Sequence, residues 1–189
     1  MLQSLIAMAH IHTKDNQHDL TVCAYIVRTD VPNAPAIMMH QHRLLKQWLQ
    51  FGGHVELDET PWHALVRELA EESGYSLTQL RILQPRLRPD INDGHAITHP
   101  MPASLLTHRF ANEAHFHTDI SFAFTTNQPP RGTIAPGEST TMRCFNRDEI
   151  AALPKGTLPE NVRYLSLFVL DTLLGAWEQC DPTHWPTRL

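Results

Sequence analysis

Cysteine is scarce in this chain. Its 189 residues hold three, Cys23, Cys144 and Cys180, which are far apart, odd in number and without a CxxC pair. That excludes a disulfide framework and makes a reducing, cytoplasmic setting the expectation. Long apolar runs are missing as well, since none approaches the length of about 18 residues that crosses a membrane. Basic charge is the minority sign: fifteen Lys and Arg stand against twenty Asp and Glu, a formal net charge of -5. Without a basic surface, a nonspecific binder of nucleic acid polymers is excluded. No repeat, low-complexity tract or long linker divides the chain, so a single domain over residues 1–189 is expected. Met1–His12 lacks a basic leader and is interrupted by His10 and His12, which makes it a poor signal peptide.

What is present describes a soluble globular protein, 42% hydrophobic and 19% charged, with an unusual thirteen histidines. Apolar spacing predicts a short amphipathic helix over Met1–Ala9. Strands are predicted at Leu20–Val27, Ala36–Met39, Leu80–Leu83, Phe116–Thr125 and Thr141–Phe145. The stretch Asp30–Pro35 reads as a turn, and Trp48–Phe51 as a short apolar piece ending at Gly52-Gly53. Helices are predicted from Pro61 to Ser73, from Asn146 or Asp148 through Ala152, and over Glu160–Trp177, followed by a Pro-rich tail. A Pro- and His-containing loop fills the interval before Phe116. Without regular βαβ alternation, this order predicts an α+β or layered α/β/α architecture.

The chemistry concentrates in Gly53–Tyr75, GHVELDETPWHALVRELAEESGY. Thr60 suits an N-cap, Pro61 the first helical position and Gly74 the C-terminal stop. Between them Trp62, Leu65, Val66, Leu69 and Ala70 follow the spacing of a buried helical stripe. Glu68, Glu71 and Glu72 are expected to cluster away from that stripe. Carboxylates so close repel one another, by about 0.2–0.5 kcal/mol per pair on an exposed helix. A hard, oxygen-preferring divalent cation, Mg²⁺ or Mn²⁺, relieves that repulsion. Arg67 stands where its planar fork can hold a carboxylate in a fixed orientation.

This stretch resembles the Nudix box, G-x5-E-x7-R-E-U-x-E-E-x-G-U, with Gly53, Glu59, Arg67, Glu68, Leu69, Glu71, Glu72 and Gly74 in register. Tyr75 stands where the family has Ile, Leu or Val. The resemblance implies a Nudix-type α/β/α sandwich with a mixed β-sheet, the box forming a loop–helix–loop. It further implies a metal-dependent pyrophosphohydrolase that cleaves a phosphoanhydride in a small nucleoside-diphosphate-linked molecule, with Mg²⁺ as cofactor and Mn²⁺ as the alternative. By the same carry-over Glu68 and Glu72 are principal metal ligands, and Glu71 shares metal or water. The backbone carbonyl near Gly52–Gly53 completes the set, and Glu68 is the base. Arg67 orients the acids, and Glu59 braces the loop or reaches a metal through water. Nudix proteins often take a further ligand from the loop before the strand that leads to a short helix. In Ala135–Ser139 that loop holds one acid, Glu138, although Cys144 replaces the Trp usual in the strand behind it.

Outside the box, strand periodicity puts His115, His117 and Asp119 on one face. Three readings stand: contacts to substrate, a polar hydrogen-bonded network, or a zinc site. His54 lies inside the glycine loop and joins Gly53, His117 and Asp119 as a candidate substrate contact, while His40, His42 and His63 read as surface residues. Trp48 and Phe51 read as core rather than base-stacking. The apolar helix Glu160–Trp177 reads as core too, leaving monomer and homodimer open. Two functions of other classes compete: a nucleotide-binding, non-catalytic Nudix-like regulator, which intact acids argue against, and a zinc-binding module, which no HExxH spacing supports.

Overall fold

The β-branched run around Val22–Val27 becomes the central strand. The computed structural model describes residues 14–32, 34–109 and 114–187, so the helix expected over Met1–Ala9 lies outside the described residues. Strand β1, His18–Arg28, pairs in parallel with β7, Phe116–Thr126, along its whole length. On its other side β1 takes two antiparallel partners in succession, β4 (Phe51–His54) and then β2 (Ala36–Gln41). Strands β3 (Trp48–Leu49) and β8 (Met142–Asn146) flank β2. Beside β7 lie β5 (Arg81–Gln84) and β6 (Ser104–His108), with β9 (Glu178–Cys180) beyond β5.

Alternate residues of β1 feed two cores. Val22, Ala24 and Ile26 join Phe122 and Phe124 on one face; Cys23, Tyr25 and Val27 join Ala123 on the other. Helix α1, Pro61–Glu68, covers the first face with Trp62 and Leu65. Helices α2 (Arg147–Ala152) and α3 (Glu160–Phe168) cover the second with Ile150, Val162 and Leu165. Two helical layers over a mixed sheet make the α/β/α sandwich.

Thr60 caps α1 by accepting the His63 N–H at 3.1 Å, worth about 1 kcal/mol. The helix continues as a single π turn, Leu69–Ser73, and stops at Gly74 with φ of 70°. That turn corrects the expected stripe. An i→i+5 turn carries an extra residue and rotates the positions after it around the helix axis. Ala70, inside the turn, is exposed; ahead of the turn Val66 is only half-buried, whereas Ala64 is fully buried. Glu72 and Ser73 turn inward, to 7% and 0% exposure. The C-terminal helix has the same construction: α3 runs into a π turn, Val169–Leu173, whose Val169 and Leu173 are buried.

Four strands were not expected from the sequence: β3 and β4 divide the apolar piece Trp48–Phe51 and carry it on to His54. β6 lies in the Pro- and His-containing loop, and β9 opens the Pro-rich tail, which then packs back. Trp185 is 7% exposed there, and its carbonyl accepts the Trp62 indole N–H at 3.1 Å. Trp48 meets Phe145 edge-on with ring centroids 5.0 Å apart, and Phe51 is fully buried, so both are core as expected. Among the described residues no helix is long and apolar enough to cross a membrane.

Candidate active site

Strand β4 and the turn of the box helix meet at two glycines. Gly52 has φ of 143°, and a Cβ there would lie 2.0 Å from the Val22 carbonyl oxygen. A Cβ on Gly53 would lie 2.5 Å from Glu68 Oε1. Only bare backbone lets the strand pass this close to the carboxylates. The Gly52 N–H donates to Glu72 Oε2 at 2.7 Å.

Arg67 organises the acids. Its Nε and Nη2 donate to the two oxygens of Glu59 at 2.8 and 2.9 Å, and Nη2 also donates to the His54 carbonyl at 3.1 Å. Its Nη1 reaches Glu68 Oε1 at 2.7 Å and Glu71 Oε2 at 3.2 Å. Glu59 therefore braces Arg67 and the loop, and Arg67's hydrogen bonds hold its carboxyl below the usual range. Burial pushes Glu72 up to about 9, against the Gly52 N–H, and the charges of Glu68, Glu138 and Glu71 add to the rise. Burial raises Glu68 as well, with Arg67 opposing.

Glu138 comes from a different part of the chain. The Ala135 N–H donates to the Glu71 carbonyl at 2.8 Å, and the Gly132 N–H to the Gly74 carbonyl at 2.9 Å, so its loop is tied to the box helix. The exposed Glu138 carboxylate thus acts on both Glu68 and Glu72. Glu72 is buried among like charges, with no cationic side chain among the groups that shift it. Such an all-oxygen donor set fits a hard divalent cation.

The second group of expected residues collects on the other side of β4. A cavity of about 140 Å³ is lined by Gly52, Gly53, His54, His108, His117 and Asp119, among others. Asp119 accepts from Thr21 Oγ1 and Cys23 Sγ, both at 2.9 Å, and from Ser121 Oγ at 2.8 Å. Beside the Asp119 carboxylate, burial pushes the Cys23 thiol up. His117 is 2% exposed, and burial, reinforced by the imidazoles of His108, His54 and His115, pushes it down to about 4. His40 is a correction: expected at the surface, it is 3% exposed, because β2 lies inside the sheet and Phe51 packs on its ring at 5.3 Å. One residue was missed altogether. Asp19, at the start of β1, lies opposite His117 in the parallel register, and nothing local in the sequence marks it.

A NUDIX domain model matches residues 17–165. The chain belongs to the Nudix family. Family members are hydrolases that act on pyrophosphate bonds. No curated protein matches the chain significantly. Among solved structures it is similar to a NUDIX-family hydrolase from Clostridium perfringens, with TM-score 0.63 and 22% identity over 82% of this chain and 97% of that one. A C. elegans Ap4A hydrolase in a binary complex gives TM-score 0.61 at 16% identity, covering 83% and 98%. The NUDIX domain of Shewanella oneidensis NrtR, complexed with ADP ribose, gives 0.59 at 13%, covering 85% and 90%. These likenesses support the Nudix fold: the box is its loop, helix and π turn, and the cavity lies across β4 from the carboxylates.

Proposed function

We propose that this Nudix protein hydrolyses a phosphoanhydride bond in a small nucleotide-like molecule, with Mg²⁺ as cofactor and Mn²⁺ able to replace it. The observation that carries this reading is the convergence of Glu68 and Glu72 on the bare backbone of Gly52–Gly53, with the charge of Glu138, from a separate loop, acting on both. Glu68, Glu72 and Glu138 would hold the cation, with Glu71 at its exposed margin and a Gly53 backbone contact beside it. When bound, Mg²⁺ supplies charge neutralisation for phosphate oxygens and activation of water. Glu68 takes the proton of the attacking water; Arg67 anchors it through Oε1, which sets its direction. Glu72, fixed by the Gly52 N–H, is a ligand and not the base. Glu59 keeps Arg67 in place, and His54, His117 and Asp119 line the cavity in which the rest of the substrate sits.

A turnover screen with Mg²⁺ and Mn²⁺ in parallel tests this. Similarity to an Ap4A hydrolase and to a domain complexed with ADP ribose puts dinucleoside polyphosphates and ADP-ribose first in the panel, with nucleotide sugars and nucleoside triphosphates after them. Glu72→Gln and Glu68→Gln should each lower turnover by at least about 100-fold while circular dichroism stays native. Unchanged turnover in both folded variants refutes the mechanism.

A further inference from the structure

Nitrogen ligands gather on the sheet face opposite α1, at the first residues of the central parallel pair. Four neighbouring strands each contribute one group: His108 on β6, His117 on β7, Asp19 on β1 and His54 on β4. The parallel register sets Asp19 opposite His117, and the antiparallel ones set His108 opposite His117 and His54 opposite Thr21, two residues along from Asp19. His115 precedes His117 by two and shares its face.

The spacing suits a metal shell. One ligand atom each of Asp19, His115 and His117 lie within 4.8 Å of one another, and these residues are 7%, 8% and 2% exposed. His115 Nε2 stands 3.6 Å from Asp19 Oδ2, and His54 Nε2 stands 3.5 Å from the same oxygen. A tetrahedral ion with bonds of about 2.1 Å holds its ligand atoms about 3.4 Å apart. The rings of His117 and His115 have centroids 4.8 Å apart, and those of His117 and His54 5.5 Å.

We propose that Asp19, His115 and His117 form a site for a divalent transition ion of the zinc class, with His54 positioned to complete a four-ligand shell. Imidazole donors favour such an ion over Mg²⁺, whereas the carboxylates across β4 favour the hard cation. The chain thus carries two metal sites of opposite preference on either side of Gly52–Gly53. His54 and His117 also line the cavity, so the ion stands in its wall. The acid of this site is Asp19 rather than the Asp119 on the same strand as the histidines, because Asp19 lies opposite His117 with its Oδ2 within 3.6 Å of both His54 and His115. This proposal does not depend on hydrolysis.

The test uses the full chain without a histidine tag, dialysed and measured by elemental analysis and by competition with a chromophoric zinc chelator. One zinc per chain is expected. His115→Ala and His117→Ala should each weaken zinc binding by at least about 100-fold, more than loss of an outer-shell partner costs. Glu68→Gln should leave zinc affinity unchanged. Zinc that survives a His115→Ala/His117→Ala double variant, zinc lost with Glu68→Gln, or no zinc bound by the unaltered chain overturns the proposal. Should the histidine variants fail to fold, Co²⁺ loaded into the unaltered chain decides. Intense visible bands of a four-coordinate ion support the site, and the weak bands of a six-coordinate ion refute it.

Discussion

Gly53→Ala separates the geometry of the carboxylate site from the stability of the fold. Gly53 does not have a positive φ, so alanine fits its backbone without strain. The new methyl group would, however, lie 2.5 Å from Glu68 Oε1 and 2.9 Å from its Cδ. To reach ordinary contact at 3.4 Å the carboxylate must retreat by roughly 0.9 Å, breaking or stretching its 2.7 Å bond from Arg67. A reacting or metal-binding group misplaced by about 1 Å costs on the order of 100-fold in rate. A side-chain tip can give way cheaply, so the melting temperature should stay within about 3 °C of the unaltered protein. Gly52→Ala is the contrasting variant. Its Cβ meets backbone, the Val22 carbonyl oxygen at 2.0 Å and the Cys23 Cα at 2.8 Å, at a φ of 143°. Neither atom can withdraw without parting β4 from β1, so overpacking and backbone strain together should cost about 3 kcal/mol or more. For a chain this size that lowers the melting temperature by about 6–12 °C. Thermal melts and kcat under saturating Mg²⁺ read both variants. A Gly53→Ala protein with the original kcat and Mg²⁺ dependence, or one that melts as early as Gly52→Ala, refutes the reasoning.

Glu138→Ala should raise the Mg²⁺ concentration for half-maximal activity by about tenfold while the melting temperature holds, since an exposed loop carboxylate is lost from the charge around Glu68 and Glu72. Asp119→Ala should cost about 2–3 kcal/mol in denaturant unfolding, because the Thr21, Cys23 and Ser121 donors lose their acceptor in a buried setting. His40 supplies a pH prediction: burial, then the charge of His42, pushes it down to about 4 from 6.5. The folded state prefers the neutral ring, so the stability it contributes is present above about pH 6.5 and is lost as pH falls toward about 4, where the folded form protonates too. His40→Asn should therefore lose about 2 kcal/mol less than the unaltered chain between about pH 7 and pH 4.5; equal losses refute that account.

The parts of the fold that were legible are those written in local periodicity. Leu20–Val27 and Phe116–Thr125 read as strands because runs buried on both faces, as at Val22–Val27 and Phe122–Thr125, need no alternation, and Pro61 and Gly74 punctuate the box helix whatever surrounds it. β6 and β9 were illegible because each is short and held in place by a partner, β7 in one case and β5 in the other. Neither Ser104–His108 nor Glu178–Cys180 has an apolar rhythm strong enough to outweigh the prolines nearby.

In the carboxylate site, spacing told which acids belong together but not how deeply each is set. A regular 3.6-residue helix keeps Glu72 beside Glu68 on the solvent side. The π turn adds a residue to the circuit and brings Glu72 under Gly52, where burial changes it from a surface charge into a group that demands a counter-ion. No propensity in Leu69–Ser73 announces that turn. The histidine face fails to be legible for a different reason. Period two correctly put His115, His117 and Asp119 on one face, yet it is silent on which residues of the neighbouring strands meet them. Because β1 and β7 run parallel in one register over eleven residues, Asp19 is delivered to His117 while Asp119 falls opposite Thr21. A one-residue slip of that register would send Asp19 to the face of α1 and leave the histidines facing a different row of β1 side chains. The partner of His117 is thus set by the whole length of the parallel pair, a tertiary quantity that the residues near either end do not encode.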